Sequence, residues 1–212
     1  MTTVDEWILT SEGAEQPISG FKLLMCKAPR IEVIAHSLAQ INRYTGHASR
    51  PYSVAEHSLL VADIVASMGL DHHAQRLALM HDAHESLCGD ASTPVKVAVG
   101  TAWMEFEHPL ALLVRTTYHL KAPHAAHAKA VRHADLLALA TERRDLMCFD
   151  PKVNTPWSVI DQPGARVRPL DGIDLNTPVR EAMGWRHHRD AFLARYHDLE
   201  ARCKVMPGAA TP

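Results

Sequence analysis

Paired cysteines are missing from this chain. Cys26, Cys88, Cys148 and Cys203 are scattered, with no CxxC spacing among them. That excludes a zinc ribbon and a dense disulfide framework. The expectation is four reduced, mostly buried thiols. Net charge is also scarce, at -2. No broad basic field exists to hold a nucleic-acid duplex, although a mononucleotide needs only a few local cations. No apolar run is long enough to span a bilayer, and the N-terminus has no basic region leading into one. A membrane role is not expected, and a cytoplasmic location is the default.

What is present is histidine, fifteen residues of it, in a chain of 212 that is 47% apolar. That length and composition suffice for a core without staples. Trp7–Thr10 and Phe21–Met25, punctuated by Gly13, Pro17 and Gly20, read as a short β-hairpin. From Ile31 the spacing turns helical: Ile31, Ile34, Ala35, Leu38 and Ile41 share a face. Residues 42–51, with Gly46, read as a loop. Ser53 and Glu56 have capping-box spacing and open a helix that Gly69 ends. Further helices are expected over His72–Leu87, Val95–Val99, Trp103–Tyr118 and, after a break at Pro123, Ala125–Cys148. Prolines 151, 156, 163, 169 and 178 mark an irregular surface excursion. A last helix, Arg180–Lys204, is split or bent near Gly184, and a frayed tail follows Pro207. The sum is an all-α domain with a small β-hairpin.

The sharpest local feature is His81-Asp82, read as lying inside the 72–87 helix. Neighbours about a hundred degrees apart straddle one edge and can reach one ion. Glu85, four residues after His81, lies on the same face. His57 falls in the first turns of the capped helix. Asp135 interrupts a run of Ala and Leu, where a carboxylate is costly unless paired or bound to a cation; the alternative is a surface Asp beside Arg132.

The order His57 … His81-Asp82 … Asp135 resembles the H…HD…D ligand pattern of the HD-domain superfamily. The stretch from His81 through Glu85, Gly89-Asp90 and Pro94-Val95-Lys96 is similar to the HDxxE…GD…PxK segment of bacterial HD-domain 5′-deoxynucleotidases. Arg43-Tyr44 and Ser53-Val54-Ala55-Glu56-His57-Ser58 also resemble that group, and phage and prophage members, one a dATP triphosphohydrolase, look similar. The resemblance covers about Trp7 to Asp145. It implies an all-α HD bundle with a hairpin extension (1–28), a phosphohydrolase core (29–150), and a proline-rich excursion with a C-terminal helix packed on the core (151–212).

The resemblance also implies a metal site of His57, His81, Asp82 and Asp135. Two imidazoles and two carboxylates suit Zn²⁺, Mn²⁺, Co²⁺, Fe²⁺ or Ni²⁺, and some members add a second ion, such as Mg²⁺, through the phosphates. Glu85 would orient or deprotonate water. Asp90 would protonate the leaving oxygen or position water, or else act as a turn residue. Arg43 and Lys96 would bind phosphate, with Arg50 as a further cation. Tyr44 would pack at the sugar and disfavour a 2′-hydroxyl, or serve the core; where some members have Trp, this chain has Tyr. His47 and His84 are expected to assist rather than ligate, and His187-His188 to face solvent. The implied activity is release of phosphate from deoxynucleoside 5′-monophosphates. The rivals are triphosphohydrolysis of a deoxynucleoside triphosphate, dATP especially, by the same site, and a non-catalytic nucleotide-binding HD protein. The implied partners are a small nucleotide and further copies of the chain.

Overall fold

A computed structural model describes residues 6–204; the expected frayed tail lies outside them. Two strands, β1 (Trp7–Leu9) and β2 (Glu15–Pro17), pair antiparallel with Ile8 opposite Gln16. The hairpin is real, but its second strand is not Phe21–Met25. The chain turns at Gly13, which holds φ 78°, and the Ala14 carbonyl accepts from Thr10 N at 2.9 Å. The Phe21–Met25 stretch lacks alternation and instead forms α1 (Gly20–Met25).

Helix α2 (Ile31–Leu38) buries Ile31, Ile34, Ala35 and Leu38, as the spacing predicts. The chain then enters a short 3-10 turn, Arg43–Gly46. Arg43 N bonds Tyr52 O at 2.8 Å and Val54 N bonds Ile41 O at 3.0 Å. These bonds tie both ends of the 42–53 loop together, so Arg43 and Tyr44 stand beside the start of the next helix. Tyr44 and Thr45 hold φ of 58° and 54°, a left-handed conformation that non-glycine residues adopt at a cost of about 1–3 kcal/mol.

Helix α3 (Val54–Ser67) is the central element. The Ser53 hydroxyl accepts from Glu56 N at 3.2 Å, half of the expected capping box. The Glu56 carboxylate goes elsewhere, as described below. Ten of the residues from Val54 to Val65 are buried, so the helix needs protein on every side. It receives α4 (His72–Leu79), α8 (Lys121–Leu146) and α10 (Trp185–Lys204).

The expected helix over 72–87 is interrupted. After Leu79 the chain tightens into i→i−3 bonds: His81 N to Ala78 O, Ala83 N to Met80 O and Glu85 N to Asp82 O. Helix α5 (Glu85–Cys88) resumes the path. No Gly or Pro marks this break, so periodicity alone ran through it. Helices α6 (Thr93–Val99) and α7 (Thr101–Thr117) follow. Then α8 (Lys121–Leu146) begins before Pro123 rather than after it. A proline in the first turn gives up an N–H that has no helical partner anyway.

Residues 147–177 contain no regular element. They clamp onto the C-terminal half of α8 rather than drape over it. Arg144 donates to Leu170 O at 2.7 Å, Leu175 N to Asp145 Oδ2 at 2.9 Å, and Ile160 and Leu175 are fully buried. Helices α9 (Pro178–Glu181) and α10 (Trp185–Lys204) are split at Gly184, as expected. The α10 helix packs on α2, α3 and α4. His188 on α10 is buried, 3.4 Å from Glu56, not solvent-facing. None of the four thiols is fully buried; Cys148 is exposed. No helix of the described residues is long and apolar enough to cross a membrane.

Candidate metal centre and cavity

Three structural elements deliver the site. His57 comes from the first turns of α3, His81 and Asp82 from the tight turn between α4 and α5, and Asp135 from the middle of α8. His57 Nε2 lies 3.3 Å from His81 Nε2 and 3.3 Å from Asp135 Oδ1. Asp82 Oδ2 lies 3.0 Å from His81 Nε2 and 3.6 Å from His57 Nε2. His57, His81 and Asp135 each offer a ligand atom within 4.8 Å of the others, and Asp82 joins them through its short distances to both rings. The non-helical turn explains how adjacent residues 81 and 82 both reach inward.

The far nitrogens of both rings are already committed. His57 Nδ1–H donates to Glu142 Oε1 at 2.5 Å, and His81 Nδ1–H donates to Ala78 O at 2.7 Å. Both Nε2 lone pairs therefore point into the cluster, toward each other and toward two carboxylates. Such a convergence repels itself unless a proton or a cation sits within it. Burial and Arg43 lower the His57 pKa, but Glu142 and Asp135 outweigh them and raise it to about 9. Burial would raise the Asp82 carboxyl; His81, His57 and Arg43 instead hold it well below the usual carboxylate range. Asp135 is lowered against its burial, chiefly by His57. The donor set of two imidazoles and two carboxylates, with fixed tautomers, fits a divalent transition metal.

Glu142 belongs to no motif of the sequence, yet it supports the site. It is fully buried and is held by four groups: His57, Tyr44 OH, Tyr52 OH at 3.0 Å and Arg43 at 3.4 Å. Burial opposes its charge, but Arg43 and His57 drive its pKa far below normal. A signal existed. Glu142 follows Asp135 by seven residues, two helical turns, so both project from one face of α8.

A cavity of about 700 Å³ opens on this cluster, lined by Arg43, Tyr44, His47, Asp82, Glu85, Asp90, Lys96, Arg132, Asp135 and Trp157 among others. Glu85 is 3% exposed, and its Oε2 has no hydrogen-bond partner. Burial, then Asp82 and Asp90, push its pKa well up. Asp90, in the loop after Gly89, is raised by burial first. Arg43 NH1 lies 3.7 Å from Asp82, and its buried Nε has no partner. Lys96 on α6 donates to Glu107 at 2.6 Å. His84 lies 3.3 Å from the same carboxylate, outside the ligand cluster. Asp135 meets both sequence readings at once: Oδ1 faces His57, while Oδ2 accepts from Arg132 at 2.6 Å.

Arg50 is not in the cavity. It is 5% exposed and donates to Glu56 at 2.9 and 2.6 Å and to Leu175 O. The expectation of a third phosphate-binding cation at this position is therefore corrected: the buried Glu56 carboxylate, displaced from its capping role, consumes that charge.

A family model described as an HD domain matches residues 35–109. An uncharacterized protein of Rhodobacter capsulatus is 38% identical over an alignment 170 residues long that covers 74% of this chain and 83% of that protein. The uncharacterized protein YfdR of Escherichia coli is 38% identical over 169 residues, 80% of this chain and 83% of its own length. HD domains are generally metal-dependent hydrolases. Since the matched segment carries His57 and the 81–82 pair, and the likeness to two relatives covers 83% of each and extends well beyond it, the chain belongs to the HD-domain family.

Proposed function

We propose that this protein hydrolyses a phosphoester of a 2′-deoxynucleotide, releasing inorganic phosphate from a deoxynucleoside 5′-monophosphate. The observation that carries the reading is the convergence of His57, His81, Asp82 and Asp135, two of which, Asp82 and Asp135, line the cavity that also holds Glu85, Asp90, Arg43 and Lys96. His57, His81, Asp82 and Asp135 would hold one divalent ion. When bound, such an ion supplies Lewis acidity toward a phosphoryl oxygen and toward water.

The remaining work falls to the chain. The unpartnered Glu85 Oε2 would take the proton of the attacking water. As the water oxygen bonds to phosphorus, the bond from phosphorus to the 5′-oxygen breaks. Asp90, whose burial favours its protonated form, gives that oxygen its proton. Arg43 offers a planar fork and Lys96 a point charge to the phosphoryl oxygens. Tyr44 stands with its hydroxyl committed to Glu142 and its ring on the cavity, which supports contact with the sugar.

The burial of Arg50 favours the monophosphate over a triphosphate. Outer phosphates need additional cations, and the cavity-lining Arg43, Lys96 and Arg132 are each shared with carboxylates already. The test is phosphate release by metal-loaded protein from a panel of deoxy- and ribonucleotides at each phosphorylation level. Turnover of deoxynucleoside monophosphates, abolished by a chelator, is the expected result. Exclusive turnover of triphosphates, or of no nucleotide, overturns it.

A further inference from the structure

The cavity is lined by two chemically distinct sets of residues. Arg43, Asp82, Glu85, Asp90 and Lys96 are charged; Leu139, Met147, Pro156, Trp157 and Val159 are apolar. Cleaving a phosphoester needs only the charged set. All but Leu139 of the apolar set comes from the 147–177 excursion, where no motif exists in the sequence. A ligand that suits such a lining carries both a phosphate and an apolar group.

Trp157 brings an indole to the cavity lining, beside the Tyr44 ring, and it is held from several directions. Its backbone N–H donates to Asp161 Oδ2 at 2.8 Å. Asp161 in turn accepts from Arg143 NH2 at 2.9 Å. The Arg143 guanidinium lies 5.3 Å from the Trp157 ring centre and 4.3 Å from that of Phe149. Phe149 meets Trp157 edge-on at 6.0 Å, and the Tyr44 ring stands 6.2 Å away at 34°. The adjacent Ile160 is fully buried and anchors the turn. The indole is therefore fixed before any ligand arrives, so packing against it costs little ordering entropy.

We propose that Trp157 is the face on which the nucleobase of the substrate packs, so that the excursion after α8 builds the base subsite of the enzyme. The inference rests on the deoxynucleotide reading above. Base–aromatic stacking tolerates any base, because each has a π face. A stacking face of this kind secures the nucleoside without choosing strongly among the four bases.

The test compares the parent with Trp157→Ala and Trp157→Phe, each metal-loaded and with its melting temperature recorded. Two quantities are measured: the KM for a deoxynucleoside monophosphate, and the competitive inhibition constant of inorganic phosphate, which has no base to stack. The ratio of KM to the phosphate constant is expected to rise about tenfold or more in the alanine variant. The phenylalanine variant should stay within about threefold of the parent. An unchanged ratio in the alanine variant overturns the role of Trp157 while leaving the nucleotide reading intact. A parallel rise of both constants marks a merely structural role and overturns it too. If the parent itself turns over no nucleotide, both readings fall together.

Discussion

His57 Nδ1 and Glu142 Oε1 lie 2.5 Å apart, and neither side chain touches solvent. The bond joins the first turns of α3 to the last turns of α8, across 85 residues of chain. It fixes which imidazole nitrogen faces the cluster, and it increases the basicity of that nitrogen. Glutamine at position 142 keeps the shape and removes the charge. Glu142→Gln is expected to weaken divalent-metal affinity by about 10- to 100-fold, measured by competition with a chromophoric chelator. An affinity equal to the parent's would remove Glu142 from the support of the site.

Glu85 separates chemistry from binding. Its buried Oε2 has no hydrogen-bond partner, and it is not among the four proposed ligands. Glu85→Gln should retain metal content and KM within about threefold while kcat drops by roughly 10²- to 10⁴-fold. Metal analysis alongside steady-state kinetics checks this. A variant as fast as the parent would refute the assignment.

Arg50 serves the fold rather than the cavity. Its guanidinium and the Glu56 carboxylate are both buried, and Arg180 and His188 complete the group around Glu56. Arg50→Met leaves Glu56 short of its closest partner. The expected cost is about 3 kcal/mol of unfolding free energy in urea, with the KM for nucleotide unaltered. A raised KM with unaltered stability would return Arg50 to the phosphate site.

Glu107 carries a pH signature. Burial opposes its ionisation, but hydrogen bonds and charge from His84 and Lys96 outweigh that and lower its pKa to about 2. A folded-state pKa below the unfolded one stabilises the protein above the ordinary carboxylate range. That contribution disappears as pH falls through about 2. The stability gap between the parent and Glu107→Gln should therefore be full at pH 7 and shrink progressively below pH 4.5. Urea midpoints at pH 7, 4.5 and 3 provide the check; a gap independent of pH contradicts the pairing.

Local signals were legible in the sequence. The Ser53 cap, the stop at Gly69, the split at Gly184 and the apolar face of α2 rest on contacts within a few residues of chain, and each appears in the fold. The adjacent 81–82 pair was legible as chemistry but not as shape. Its turn contains no Gly or Pro, so the break in the helix is visible only in the shortened hydrogen bonds. Glu142 and Arg50 depend on partners far along the chain or on a displaced side chain, and no local pattern reports such partners. Trp157 lies where periodicity vanishes. The strand misplaced onto Phe21–Met25 shows the converse: Gly13 closed the turn sooner than Pro17 and Gly20 suggested.

The central claim concerns four side chains and one cation. Crystals of the protein soaked in Mn²⁺ or Zn²⁺, with anomalous diffraction collected at the metal edge, address it most directly. The expected result is one strong peak about 2.0–2.2 Å from His57 Nε2, His81 Nε2 and an oxygen each of Asp82 and Asp135, absent from Asp135→Ala. A peak elsewhere, or none among these four residues, would contradict the account.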